Sequence, residues 1–180
     1  VFKEYYFELL KSLGQHPEFK QIKFKIKSKI FLLDSTTISL CLSLFDWAKY
    51  KTAKGAVKMH TLLDYDGNLP AYINITNGKT ADNKGAYEIP LLKGSVIVAD
   101  RFYNDFSLLN VWDSNDVFFV IRHKENLQFT TIKENELPEN RHAHILKDEI
   151  IELKNDTSRA KYAKKLRRVS VYDEKNNQVI

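Results

Sequence analysis

The sequence predicts an α/β fold built on a mixed sheet, with β-rich material in its last third. Three observations carry this. Two short apolar runs, residues 30–33 and 96–99, each deliver an aspartate at their C-terminal end, Asp34 and Asp100. Between them an apolar, turn, apolar pattern pivots on Asp66-Gly67, a strong hairpin signal. Beyond residue 125, short β-like runs alternate with polar turns.

In chain order, residues 1–13 place Phe2, Tyr5, Tyr6, Leu9, Leu10 and Leu13 at roughly helical spacing, and Gly14 and Pro17 end that element. Residues 20–29 alternate Ile22, Phe24 and Ile26 with Lys23, Lys25, Lys27 and Lys29, the pattern of a half-solvated strand. Residues 30–33 read as a buried strand, and residues 40–47 are again apolar. Lys49, Lys51, Lys54 and Lys58 follow, with no acid among residues 47–58, and Gly55 within the segment predicts a loop there. Residues 57–63 and 69–76 form the two arms of the hairpin. A polar loop over 77–82 leads to a short helix over about 83–92, with Pro90 disturbing its last turn. Next come the strand 96–99, a tight turn at 101–105, a helix carrying Phe106, Leu109 and Trp112, and a strand at 117–121. After residue 125, residues 129–132, 143–146 and 150–153 read as short antiparallel strands. Residues 159–168 hold six cations and no acid, and a final hairpin turns at 173–177.

Composition narrows the function. The 180 residues carry 28 Lys and Arg against 23 Asp and Glu, a formal net charge of +5, which suits a polyanionic partner without demanding one. A single cysteine, Cys41, excludes an internal disulfide framework and reads as a buried thiol. No apolar run is long enough for a membrane helix, and no signal peptide is visible. A cytoplasmic protein is expected. The chain starts at Val1 and stops at Ile180 within a strand-like run, so it reads as part of a longer protein. His60 reads as a core histidine, and Trp47 and Trp112 as packing residues. There is no Gly-rich phosphate loop, no zinc pattern and no internal repeat.

A carboxylate at a buried strand's end needs a cation, a metal or an open edge, because burying it unpaired is costly. Two readings stay open for Asp34 and Asp100: helix cap or turn acceptor, or metal pair. The element order (three strands, a helix, a strand, a helix, a strand) is that of a ribonuclease H-like sheet. In that layout the first and fourth strands are neighbours, which sets the two aspartates side by side. Mg²⁺ or Mn²⁺ would relieve their repulsion, and paired metals suit phosphodiester chemistry.

Several motifs resemble bacterial insertion-sequence transposases. Leu33-Asp34-Ser35-Thr36-Thr37-Ile38 and the apolar residues after it resemble their first catalytic motif. Residues 54–63, Ile75-Thr76-Asn77-Gly78-Lys79 and Val98-Ala99-Asp100-Arg101-Phe102-Tyr103 are similar to the segments that follow. The resemblance is to the cut-and-paste DDE type, with a ribonuclease H-like core and a β-rich insertion. It covers residues 30–125 well and the remainder more loosely. It implies Asp34 and Asp100 as metal ligands, with Mg²⁺ or Mn²⁺ as cofactor. The third acid is then a Glu on a helix beyond residue 180, and the fragment alone is expected to be inactive. The implied domains are an upstream helical end and lead-in strand (1–29), the core (30–125) and the truncated β-rich insertion (126–180). Two positions depart from the family pattern: Phe102 stands where Gly is usual, and Ala81 precedes Asp82 where His is usual.

The implied function is metal-dependent hydrolysis and strand transfer at element ends, acting on double-stranded DNA at element ends and target, with a homodimer in the DNA complex. Candidate DNA contacts are Arg101, Arg122, Lys124, Lys54, Lys58, Lys164, Lys165, Arg167 and Arg168. The competing functions are a ribonuclease H-like nuclease without strand transfer and a non-catalytic DNA-binding remnant.

Overall fold

The computed structural model describes residues 2–14, 26–40, 49–51, 54–67 and 69–180. It divides into two compact units, residues 1–121 and 122–180. Of the strand expected at 20–29, residues 20–25 lie outside the described residues and residues 26–29 are not strand; the apolar segment 41–47, Cys41 and Trp47 also lie outside the described residues.

The first unit contains helix α1 (Phe2–Gly14), strands β1 (Ile30–Leu40), β2 (Lys49–Lys51), β3 (Lys54–Asp64) and β4 (Leu69–Asn77), and helix α2 (Asp82–Ala86). Strand β5 (Val96–Ala99), a 3-10 turn (Arg101–Tyr103), helix α3 (Phe106–Ser114) and strand β6 (Phe118–Ile121) complete it. The strands form one six-stranded mixed sheet in the order β2-β3-β1-β5-β6, with β4 also paired to β3. This is the ribonuclease H-like α/β arrangement. β3 and β4 make the hairpin, antiparallel from Val57↔Asn77 to Asp64↔Leu69. The Asp66 backbone N–H closes its turn on Asp64 Oδ1 at 3.1 Å.

The parallel part of the sheet positions the site. β5 lies between β1 and β6 and runs parallel to both. A parallel neighbour requires a crossover, and α3 supplies it between β5 and β6. Its buried face, Leu108, Leu109 and Trp112, covers the sheet together with Val117. Asp105 starts α3 by accepting from the Ser107 backbone N–H at 2.9 Å, and it also accepts from Asn83 Nδ2 of α2 at 2.6 Å. One short side chain thus fixes both helices. Ile97 is fully buried, and Ile30, Phe31, Leu33 and Ala99 surround it in the core.

Two sequence expectations change in this unit. Gly55 lies within β3, paired with Leu40, instead of in a loop. Its small size suits a buried strand position. The helix expected over 83–92 stops at Ala86. Pro90 cannot donate within a helix and biases the residue before it toward extended backbone, so the chain runs on without regular structure to Gly94.

The second unit is a four-stranded antiparallel sheet in the order β10-β9-β8-β7. Its elements are β7 (Phe129–Glu134), β8 (Ile145–Leu153), helix α4 (Asp156–Lys161), β9 (Leu166–Asp173) and β10 (Gln178–Val179). Ile151, Leu153 and Tyr162 form its apolar core. Residues 143–146 and 150–153 are two separate strands by sequence, whereas residues 145–153 form one strand, β8. The polar residues Asp148 and Glu149 stay in the ladder because Arg167 and Arg168 on β9 neutralise them.

Candidate active site

The last register pair between β1 and β5 is Leu33↔Ala99. The next residue on each strand is an acid, so Asp34 and Asp100 leave two adjacent strands at the same end. Leu33 and Ala99 are buried, whereas both aspartates are exposed. The apolar runs pull the strands into the core, and the carboxylates emerge where burial ends, avoiding the cost of desolvation. Both line one hollow of about 240 Å³, together with Ser35, Thr37, Lys58, Asp82, Phe102 and Tyr103.

Asp100 also caps the turn that follows it. The Phe102 backbone N–H donates to Asp100 Oδ1 at 2.9 Å. The capping reading therefore holds for one carboxylate oxygen. The resemblance sets Phe102 at a glycine position, where a positive φ would strain any other residue. Among the described residues, the non-glycine positions with positive φ are Asp116 and Asn177, so the backbone at Phe102 needs no glycine. Its side chain is exposed at the hollow.

The hollow holds a third acid to which sequence reasoning gave no role. The β1–β3 register sets Ser35 opposite His60 and Thr37 opposite Lys58. Asp82, the first residue of α2, meets that face. Lys58 Nζ lies 2.9 Å from Asp82 Oδ1, and the Ser35 hydroxyl donates to the same oxygen at 2.5 Å. Both side chains of the ion pair are largely buried. Burial alone would push the Asp82 carboxyl up, but the bonds from Ser35 and Lys58 and the Lys58 charge outweigh it and hold the carboxyl below its ordinary range. The sequence signal was the Ala81-Asp82 pair, noted as a family position. What it lacked was the cross-strand register that brings Lys58 and Ser35 to it.

His60 supports α2 from below. It is fully buried and pairs through Nε2 with Thr76 Oγ1 at 3.0 Å. Burial lowers its pKa and keeps the ring neutral. Gly85 of α2 lies directly on the ring: a Cβ at that position would stand 2.3 Å from Nε2. This close approach requires glycine.

Tyr103 is 1% exposed and lines the hollow. Burial raises the pKa of its phenol, Ser35 offsets part of the rise, and the charges of Asp82, Asp34 and Asp100 add to it. The phenol stays protonated and is a donor. Ser35 is near enough to act on it, but hydrogen-bonding geometry is not met. The Tyr103 hydroxyl has no hydrogen-bond partner among the described residues.

The remaining sequence candidates are dispersed. Arg101 is exposed on the turn beside Asp100. Lys54 opens β3, and its side chain lies outside the described residues. In the second unit, Arg122 and Lys124 are exposed, and Arg122 helps lower the Asp173 carboxyl, behind that residue's hydrogen bonds to the 175–176 turn. Lys164 is exposed. Lys165 stands 3.6 Å from Glu152. Arg167 makes a forked pair with Asp148, Nε at 2.9 Å and Nη2 at 2.6 Å. Arg168 donates to buried Glu149 at 2.5 Å, with its guanidinium 5.0 Å from the Phe129 ring centre.

Among the described residues, no three His, Cys, Asp or Glu side chains are grouped closely enough to enclose a metal ion. Asp82 is committed to Lys58, which leaves Asp34 and Asp100 as the exposed carboxylates of the hollow. Hard oxygen donors of this kind fit Mg²⁺ or Mn²⁺.

A family profile described as Transposase DDE domain matches residues 25–179. The chain belongs to the DDE transposase family. This transposase domain is 25% identical over 118 residues to a Sinorhizobium fredii protein named as a transposase, y4zB, covering 66% of the chain and 33% of that relative. It is 29% identical over 97 residues to a Geobacillus stearothermophilus protein named as a transposase for insertion sequence element IS5377, covering 54% of the chain and 26% of the relative. The transposase domain thus spans about a third or less of the length of these curated relatives. No helix among the described residues is long and apolar enough to cross a membrane.

Proposed function

We propose that this transposase domain carries the first two catalytic acids of a metal-dependent reaction. That reaction cuts phosphodiester bonds at insertion-sequence ends and joins the freed 3′-hydroxyl to target DNA. The observation that carries the reading is the parallel β1–β5 pairing, which sets Asp34 and Asp100 side by side at the mouth of one hollow. Asp34 and Asp100 would hold Mg²⁺ or Mn²⁺, which when bound would supply Lewis acidity toward phosphoryl oxygens and a more acidic water. The chain's own contribution is positioning. The Phe102 backbone N–H fixes one Asp100 oxygen, and the core under Leu33 and Ala99 fixes both strand ends. Lys58, drawn into the hollow by Asp82, sets a cation beside the acids, where a phosphate would lie. Arg101, exposed on the turn beside Asp100, adds a cation on the same unit. Arg122, Lys124, Lys164, Lys165 and Arg167 supply cations for the duplex backbone, contacts that position DNA without reading its sequence. Two copies of the protein would serve the two ends of an element.

The test is cleavage and joining by the full-length protein on a donor end mixed with target DNA, with Mg²⁺ or Mn²⁺. Asp34→Asn and Asp100→Asn should each abolish cleavage. Both should leave the melting temperature unchanged or raised, since each removes one of two like charges. Retained cleavage in either variant would refute the assignment. Cleavage without joined product would leave a nuclease in place of a transposition reaction.

A further inference from the structure

Tyr103 is the one group lining the hollow that is both fully enclosed and left with its polar atom unpartnered among the described residues. A buried hydroxyl without a partner is costly, so such groups persist where something else pairs with them. Asp82 is bound by Lys58 and Ser35, and Asp34 and Asp100 are exposed at the mouth. Ser35, though it keeps lone pairs after giving its proton to Asp82, makes no hydrogen bond of normal geometry to the phenol. The phenol lies among these carboxylates as a neutral donor, fixed by the packing around it and by the turn that Asp100 caps.

We propose that the Tyr103 hydroxyl is a substrate-positioning group, donating a hydrogen bond to a non-bridging oxygen of the phosphodiester that Asp34 and Asp100 act on. This deepens the phosphodiester reading and rests on it. A phosphate oxygen fits because it is an anionic acceptor with no proton of its own, and Lys58 stands in the same hollow to offset its charge. A hydrogen bond aimed at an oxygen whose charge grows during the reaction acts more on turnover than on ground-state binding.

Tyr103→Phe removes the hydroxyl and little else. In the full-length protein, kcat for end cleavage should fall by about tenfold or more while KM for DNA changes less. The melting temperature should stay level or rise, because an unpaired buried hydroxyl has gone. Mn²⁺ affinity without DNA should match the parent. Unchanged kcat would overturn the proposal. A lowered melting temperature would also overturn it, by making the hydroxyl part of the fold. Weaker Mn²⁺ binding without DNA would overturn it too, by assigning the acceptor to water on the ion. Asp34→Asn and Asp100→Asn run in parallel separate this outcome from failure of the underlying reading: if they remain active, it is the acid assignment that falls.

Discussion

Lys58 and Asp82 meet at 2.9 Å across the face of β3, with Ser35 donating to the same carboxylate oxygen. The pair ties α2 to the sheet and holds a cation in the hollow with Asp34 and Asp100. Lys58→Met leaves a largely buried carboxylate with Ser35 alone, and it should destabilise the protein by about 1–3 kcal/mol. Asp82→Leu in the same background should recover part of that loss, since no charge is then stranded. Denaturant melts of the two single variants and the double variant check this; strict additivity would deny the coupling.

His60 and Gly85 make the support under α2 sensitive to both shape and pH. Gly85→Ala should force α2 off the buried ring and cost about 1–3 kcal/mol, as overpacking does. Activity should fall with it, because Asp82 begins the displaced helix. The pH effect follows from the lowered pKa of His60. Below its ordinary value of 6.5 the unfolded chain takes up a proton that the folded chain refuses. Stability at this site is therefore fully present above 6.5 and is lost as pH falls beneath it. A comparison of the parent with His60→Gln by chemical denaturation across that range should show a steeper loss in the parent.

Phe102→Gly should not restore anything. The turn at 101–103 needs no glycine, and the bond from the residue 102 backbone to Asp100 is open to any side chain. The expected result is unchanged cleavage and a cost of about 0.5–1 kcal/mol from added backbone freedom. A clear gain in cleavage rate would mean that the aromatic side chain obstructs the hollow.

The cations of residues 164–168 should separate by exposure: Lys164 and Lys165 are exposed, whereas Arg168 is paired with buried Glu149. Neutralising Lys164 and Lys165 should flatten the slope of log affinity against log salt for duplex DNA. Arg168→Met should instead unfold the second sheet, because it strands buried Glu149. Burial presses the Glu149 carboxyl upward, but Arg168 and Thr131 outweigh it and hold it below 4.5, so the pair's stabilisation is present above 4.5 and lost in stronger acid. A salt slope unchanged in Lys164→Gln/Lys165→Gln would exclude direct phosphate contact at those positions.

The parts of this molecule that were legible in the sequence are those encoded locally. Asp66-Gly67 fixed the hairpin, and the runs 30–33 and 96–99 announced strands that end on acids. Capping at Asp105 was within reach of the same reading. Asp82 was not, because its meaning depends on which residues of β1 and β3 lie under it, and register is a non-local quantity. The Asp148 and Glu149 stretch failed for the same reason. Polar residues in a row read as a turn until Arg167 and Arg168 are seen across the ladder. The orphaned Tyr103 hydroxyl leaves no sequence signal, since it is defined by the absence of a neighbour.

The parallel seam between β1 and β5 also bears on the time at which Asp34 and Asp100 come together. Its two strands are separated by the whole hairpin and by α2, and parallel pairing closes only after that intervening chain has been gathered. On the ribosome, Asp34 emerges long before Asp100. The hairpin needs only near neighbours, whereas the juxtaposed acids wait until the chain between them has been gathered. A nascent or partly folded chain therefore holds Asp34 and Asp100 apart until that seam closes.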